Sequence, residues 1–444
     1  MRVLILNHFP LAGSGSGTYT QNISTYLAEK GHEVCVILPE NTLDFEAPNS
    51  FDVVPVYFAN KGDGKEIKGA LSFNFPCFTT HPRSSQTFYD LTDEQLAAYI
   101  AAFEAAIDKT IRVFKPDIIH VQHVWVLAWI AMKTVVPYVV TCHGTDLMGY
   151  QKSKHYRFYA DEAATQAGSI IAISKDNVSL AKETFPQSAS KIFYQKNGYS
   201  TLLFHPVDVT KEEVMAEYGL PHADYVVLFV GKLAHFKGVD VLLNAARLYE
   251  EKSGGRIATI IAGDGELADD LKRHAKKNKL RNVHFMGFVP ITRLNELYSM
   301  ADVAVVPSRR EPFGLVAIEA LACGCPVVAT NQGGLPDIIS NEVGSLVDVD
   351  DAVGLARAIE REMFNPDRIE KGVFAAQYAE KNYSQARIID ELIGIYNTVQ
   401  KKTIGGEHEK SCCNSNVLVQ GARCPLNGRG GCLRPIIKED IYDN

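Results

Sequence analysis

Short apolar runs, each stopping at Gly, Asn or His and each followed by a longer helical pattern, occur in two successive series along the chain. That alternation is the sequence form of parallel strands joined by crossover helices. The first series predicts strands at 2–6, 33–38, 117–121, 138–141 and 169–174, with helices at 18–30, closed by Gly31, and at 93–114, opened by a Thr92 to Gln95 capping box. The second restarts at 225–230 and continues through 256–262, 282–285, 302–307 and 326–329. The expected class is therefore α/β: two doubly wound parallel sheets facing across a cleft. A length of 444 residues accommodates two to three domains. Turn residues without a strong period at 197–200 and 204–206 put the hinge near residue 204. The expected domains are then 1–204 and 205–380, followed by a helix over 381–402 and a Cys-rich tail over 403–444.

Composition narrows the function. Lys plus Arg number 45 against 52 Asp plus Glu, a net charge of −7, so the overall field disfavours a nucleic-acid backbone as partner. The apolar run from Val124 stops at Lys133, far short of the ~18–20 residues of a membrane-spanning helix. The opening Met1-Arg2-Val3-Leu4-Ile5-Leu6-Asn7 has an apolar core shorter than the ~7–15 residues of a signal peptide and reads as a strand, so a cytoplasmic location is expected. A basic run at 272–279 reads as a solvated helix face rather than a membrane contact. Residues 60–90, irregular and rich in Gly, Pro and aromatics, read as an insertion near the cleft.

In open parallel sheets, ligands collect beyond the carboxyl ends of strands, and the chemistry-bearing motifs lie there. After the strand at 302–307 comes Arg309-Arg310-Glu311-Pro312-Phe313-Gly314-Leu315-Val316-Ala317-Ile318-Glu319. Glu311 precedes proline and must be extended; Gly314 lets the chain turn into a helix whose second turn carries Glu319. The free N–H groups around Gly314, Leu315 and Val316 suit an anion such as a diphosphate, with the two carboxylates left for hydroxyls. Glu319 stands in an apolar stretch where an unpartnered carboxylate is costly. Lys232 and Lys237 follow the strand at 225–230 and offer two cations at its end. His143, in Thr141-Cys142-His143-Gly144-Thr145-Asp146, faces the cleft from the first domain; Asp146 reads equally well as a helix N-cap.

The Glu-x7-Glu pattern on a strand, loop and helix in the second of two Rossmann-like domains resembles the retaining nucleotide-sugar glycosyltransferases of family four, with the GT-B fold, over roughly residues 1–400. The resemblance implies that Glu319 holds the nucleotide ribose, that Glu311 contacts sugar hydroxyls, and that Phe313, Gly314 and Leu315 meet the donor through their backbone. It implies that His143 contacts the donor sugar near the reacting carbon and that Gly15, Ser16 and Gly17 close over the donor. Gly263, in Gly263-Asp264-Gly265-Glu266, and Val289, in Gly287-Phe288-Val289-Pro290, resemble walls of the base pocket. The family usually has Arg where Lys232 stands, and lysine keeps the charge but loses the bidentate fork. His143-Gly144-Thr145-Asp146 also resembles, locally, the N-acetylglucosaminyl-malate synthases.

The expected activity is transfer of a hexosyl unit, glucosyl or N-acetylglucosaminyl in type, from a nucleoside diphosphate sugar, foremost a UDP-sugar, to an acceptor hydroxyl. By the same resemblance no cofactor or metal is required. A GDP-mannose-type donor, a sugar-nucleotide epimerase and a non-catalytic sugar-nucleotide-binding protein stay open. A nicotinamide oxidoreductase fits less well: Gly13-x-Gly15-x-x-Thr18 lacks the third glycine of a dinucleotide fingerprint and leaves Glu311 and Glu319 unexplained. Cys412, Cys413, Cys424 and Cys432 lack paired zinc-ligand spacing, so zinc, a disulfide, a partner-binding segment and disorder all stay open for the tail.

Overall fold

A computed structural model describes residues 1–60, 67–79 and 81–414, with side chains described as far as residue 402. The first sheet contains β1 (Arg2–Leu6), β2 (Glu33–Glu40), β3 (Asp52–Tyr57), β4 (Ile118–Gln122), β5 (Tyr138–Cys142), β6 (Ser169–Ala172) and β7 (Ile192–Tyr194). The second contains β8 (Tyr225–Val230), β9 (Ile257–Ala262), β10 (Val283–Gly287), β11 (Val303–Val306), β12 (Val327–Thr330) and β13 (Gly344–Val347). Their orders are β3-β2-β1-β4-β5-β6-β7 and β10-β9-β8-β11-β12-β13, and every pairing is parallel. The α/β class and the two doubly wound sheets read from the sequence are thus present.

Central strands such as β1 and β4 are buried on both faces, which is why they read as continuous apolar runs. Strand order reverses between β1 and β4 in one sheet and between β8 and β11 in the other. Those two switch points open crevices at the carboxyl ends. The capping box at Thr92 and Gln95 forms as expected and starts the helix Asp93–Phe114, whose Tyr99, Phe103 and Ile107 enter the first core. Three strands escaped the sequence reading. β3 contains Pro55 and β7 has only three residues, and both are edge strands. β13 is a four-residue edge strand opened by Gly344. Edge strands tolerate proline and brevity because only one side must pair.

Residues 67–79 and 81–90 pack into the first domain, where Phe73, Phe75, Phe78 and Phe88 are core residues. At the other end of the chain, the helix Arg368–Tyr383 packs Ala375, Ala379 and Tyr383 into the second core. The chain then crosses back beside the outgoing segment, where Tyr199 N–H donates to Tyr383 O at 3.0 Å and Gln385 N–H to Tyr199 O at 3.0 Å. From Gln385 the last helix lays Ile389, Leu392, Tyr396 and Val399 on the first sheet against Val3, Ile5 and Val36. No helix among the described residues is long and apolar enough to cross a membrane. That helix runs on to Asn414 and so includes Cys412 and Cys413, whose side chains, like Cys424 and Cys432 altogether, lie outside the described residues.

The returning helix is anchored by a buried polar contact: Tyr396 Oη lies 2.7 Å from His120 Nδ1, while His120 Nε2 lies 2.7 Å from Thr141 Oγ1. Burial, with His143 nearby, pushes the His120 imidazole down to about 3, so it is neutral and uses both nitrogens. Tyr396→Phe leaves one nitrogen unsatisfied inside the core and is expected to lower stability by ~1–3 kcal/mol in urea unfolding. An unchanged midpoint would show that this contact does not anchor the helix.

Candidate active site

The second domain supplies the charged wall. Past β11 the chain runs through Glu311, which Pro312 follows, and turns at Gly314, whose φ is +105°. A side chain there would be strained, and its Cβ would lie 2.8 Å from Leu335 Cδ2. Gly314 caps the eight-residue helix Leu315–Ala322, which has no acidic residue in its first turn. The first intrahelical bonds come from Ala317 and Ile318, both to Gly314 O, which leaves the amides of Leu315 and Val316 unused by the helix.

Glu311 is fixed at both ends. Its N–H donates to Gln332 Oε1 at 2.8 Å and its carbonyl accepts Gly334 N–H at 2.9 Å. Its Oε2 accepts Lys237 Nζ at 2.6 Å and Ser308 Oγ at 3.1 Å. Lys237 ends a three-residue turn, His235–Lys237, closed by Gly238 at φ +66°. Gly238 packs so tightly on β11 that a Cβ would stand 2.0 Å from Pro307 O. Glu319 is half-buried on the helix and accepts Tyr298 Oη at 3.3 Å. Burial pushes its carboxyl up to about 7, against the lowering influence of Tyr298 and of the Lys237 charge.

The first domain supplies a neutral, aromatic wall. Ser14 caps the helix Gly15–Glu29 by accepting Gly17 N–H at 3.0 Å. His143, just past β5, pairs through Nε2 with Gln122 Oε1 at 2.9 Å and meets the edge of Tyr19 at 5.2 Å between ring centres. Since an amide oxygen only accepts, this pairing puts the imidazole proton on Nε2 and leaves Nδ1 as an acceptor. Burial pushes this imidazole down to about 3, so it stays uncharged at neutral pH. Asp146 is not an N-cap: its carboxylate accepts Val124 N–H at 2.9 Å and Gly144 N–H at 3.0 Å. It therefore ties the loop after β4 to the loop after β5, with its carboxyl raised to about 6 by burial, an effect those amides oppose.

A cavity of about 380 Å³ lies between the two walls. Of the residues expected at a site, Gly15, Ser16, His143, Lys237, Glu311, Phe313, Gly314, Leu315 and Val316 line it together. Gly17, Lys232, Gly263, Val289 and Glu319 do not. Glu319 stands one turn along the helix that Leu315 and Val316 open, within electrostatic reach of Lys237. Lys232, exposed at the end of β8, pairs with Glu266 at 3.3 Å. Gly263 N–H donates to Gly287 O at 2.8 Å along the next strand ends, and Val289 is partly buried on the second core.

Sequence reasoning missed His123, Phe9, Phe78 and His81 on the first-domain wall. His123 sits at a strand end with φ +78°, its ring 4.8 Å from that of His143. Its position directly after β4 was the available signal, the same one that identified His143. Phe78 and His81 carried no periodic signal. The assembled site offers unused helix amides and an ammonium for an anion, the Glu311 carboxylate for hydroxyls and an uncharged imidazole opposite them.

Comparison with known proteins agrees with this geometry. Residues 13–201 match the family model described as Glycosyltransferase Family 4, and residues 210–381 match that for Glycosyl transferases group 1. A D-inositol 3-phosphate glycosyltransferase of Corynebacterium aurimucosum is 33% identical over 69% of this chain and 78% of its own. The fold is shared with a sucrose-phosphate synthase from Thermosynechococcus elongatus at a TM-score of 0.70 and 21% identity, over 90% of this chain and 99% of that one. It is shared also with Anabaena HepE, solved with UDP and glucose, at 0.66 and 18% over 89% and 98%. Two parallel-sheet domains with these motifs at their facing strand ends, and these matches, make the chain a member of glycosyltransferase family four with the GT-B fold.

Proposed function

We propose that this glycosyltransferase is a retaining enzyme that moves a hexosyl unit from a nucleoside diphosphate sugar, foremost a UDP-sugar, to an acceptor hydroxyl, without a metal or other cofactor. The observation that carries the reading is Lys237 held 2.6 Å from Glu311 on a cavity wall that also presents the Gly314 helix start. That wall combines a cation, unused amides and a sugar-binding carboxylate within one cavity. The complex of HepE with UDP and glucose supports a UDP-sugar as the donor class.

In this reading residues 205–380 hold the donor and 1–204 the acceptor. The diphosphate meets the amides around Gly314, Leu315 and Val316 together with Lys237, while Lys232 would leave Glu266 to join them. Glu311 takes sugar hydroxyls, with the Phe313 backbone beside it, and Glu319 takes the ribose. Gly263 and Val289 border the base, and Gly15, Ser16 and Gly17 cover the phosphates. As the glycosidic bond breaks, negative charge grows on the leaving diphosphate, and fixed donors there lower the barrier because they need no reorganisation. The leaving phosphate oxygen takes the acceptor proton on the same face, so Glu311 orients and does not attack. His143, neutral, lends a dipole rather than a charge near the reacting carbon. Cys35, Cys142, Cys323 and Cys325 are buried thiols, in keeping with work in a reducing compartment, the cytoplasm.

The test is UDP release from UDP-sugars with a panel of acceptor alcohols, with the product followed by proton NMR. Acceptor-dependent release with an α-linked product from an α-linked donor is expected, whereas acceptor-independent epimerisation or a β-linked product would refute it. His143→Ala is expected to lower kcat by about 10²-fold with little change in donor binding, on the scale of one lost transition-state contact. Full turnover would remove His143 from the site. The raised Glu319 carboxyl gives a pH dependence. Ribose hydroxyls donate to the ionised form, so affinity for uridine, which carries no titrating phosphate, should be full above about 7. Below that it should weaken roughly tenfold per pH unit. Glu319→Gln should flatten the profile; a flat profile in the unaltered protein would end the ribose role.

A further inference from the structure

The turn that carries Lys237 has few contacts of its own: Lys237 N–H donates to Ala234 O at 3.0 Å, Gly238 N–H to His235 O at 3.3 Å, and the ammonium pairs with Glu311. It is three residues long, buries no side chain and leaves Phe236 41% exposed. Its position comes from the residue two before Glu311. Arg309 N–H donates to Phe236 O at 2.8 Å, and the adjoining Arg310 N–H to the same oxygen at 3.2 Å. The Arg309 guanidinium then grips the surrounding chain: Nη1 reaches His235 O at 2.8 Å and Asp240 Oδ1 at 2.9 Å, Nη2 reaches Asp240 Oδ2 at 2.7 Å, and Nε reaches Asp350 Oδ1 at 2.7 Å. Asp240 stands in the first turn of the helix Val239–Ser253, and Asp350 in the loop after β13. The Arg309 side chain is only 17% exposed and all three of its nitrogens are engaged.

We propose that Arg309 is a positioning residue for the transfer reaction: it fixes the His235–Lys237 turn to the strand end that carries Glu311, and so sets the Lys237 ammonium toward the donor diphosphate. Arg309 touches no substrate and acts through Lys237. Its planar fork is what spans one carboxylate in two places and a carbonyl at once, so lysine cannot replace it. The inference rests on the reading that Lys237 meets the diphosphate.

The test is a double-mutant cycle read as affinity for UDP and for uridine, with Arg309→Lys, Lys237→Ala and the pair. Arg309→Lys is expected to weaken UDP binding on the order of tenfold, about one charge-assisted contact, and to leave uridine affinity unchanged. In the Lys237→Ala background the same change should cost nothing further, since groups that act through one another are not additive. Asp240→Asn, a gentler change on the same fork, should weaken UDP binding by a smaller factor in the same direction and keeps the test open if Arg309→Lys does not fold. A loss that falls equally on UDP and uridine, or adds fully to that of Lys237→Ala, would overturn the positioning role alone. If Lys237→Ala itself leaves UDP affinity unchanged, the reading of Lys237 as a diphosphate contact fails, and this inference with it.

Discussion

A parallel strand cannot reverse on itself; each must be followed by a crossover long enough to return the chain to the start of the next. Among the described residues that constraint acts through thirteen strands and decides where the loops lining the cavity emerge. Every βα loop emerges at a carboxyl edge, so Phe9, His123 and His143 leave one sheet as Lys237 and Glu311 leave the other, and both groups line one cavity. The helix that crosses back after Tyr383 lays Ile389, Leu392 and Tyr396 on the first sheet. The two domains are thus joined by two chain crossings rather than one.

The two walls divide the electrostatic work. On the first-domain side, burial strips the His143 imidazole of charge, holding it down to about 3. That wall presents rings and dipoles rather than charge. On the second-domain side Lys237 and Glu311 neutralise one another at 2.6 Å. Such a pair avoids the cost of an isolated charge in a partly buried site. Glu319 is spared a full charge by its raised carboxyl and gains one as the pH passes about 7.

How much of this was legible in the sequence depends on how local the determinant is. Glu311, Gly314 and Glu319 could be read because Pro312 forces extension, Gly314 permits the turn and helical spacing does the rest, all within nine residues. The central strands were legible because burial on both faces writes an unbroken apolar run; β3, β7 and β13, on the edges, carry no such mark. His123 was overlooked because its backbone conformation, φ +78°, is imposed by its surroundings and not signalled by a glycine. Asp146 was ambiguous because its partners, Val124 and Gly144, come together only when β4 and β5 pair. The same limit separates Lys232 from Lys237: both follow β8, yet only the tertiary contact with Glu311 distinguishes the lysine on the cavity wall from the one paired with Glu266 at the surface.

The most direct measurement is calorimetric titration of the protein with UDP, GDP, ADP and NAD, repeated on Glu319→Ala. The account predicts saturable binding of a nucleoside diphosphate, UDP foremost, weakened by the substitution. Binding of NAD alone, indifferent to Glu319, would contradict it and move the function to the amino-terminal glycines.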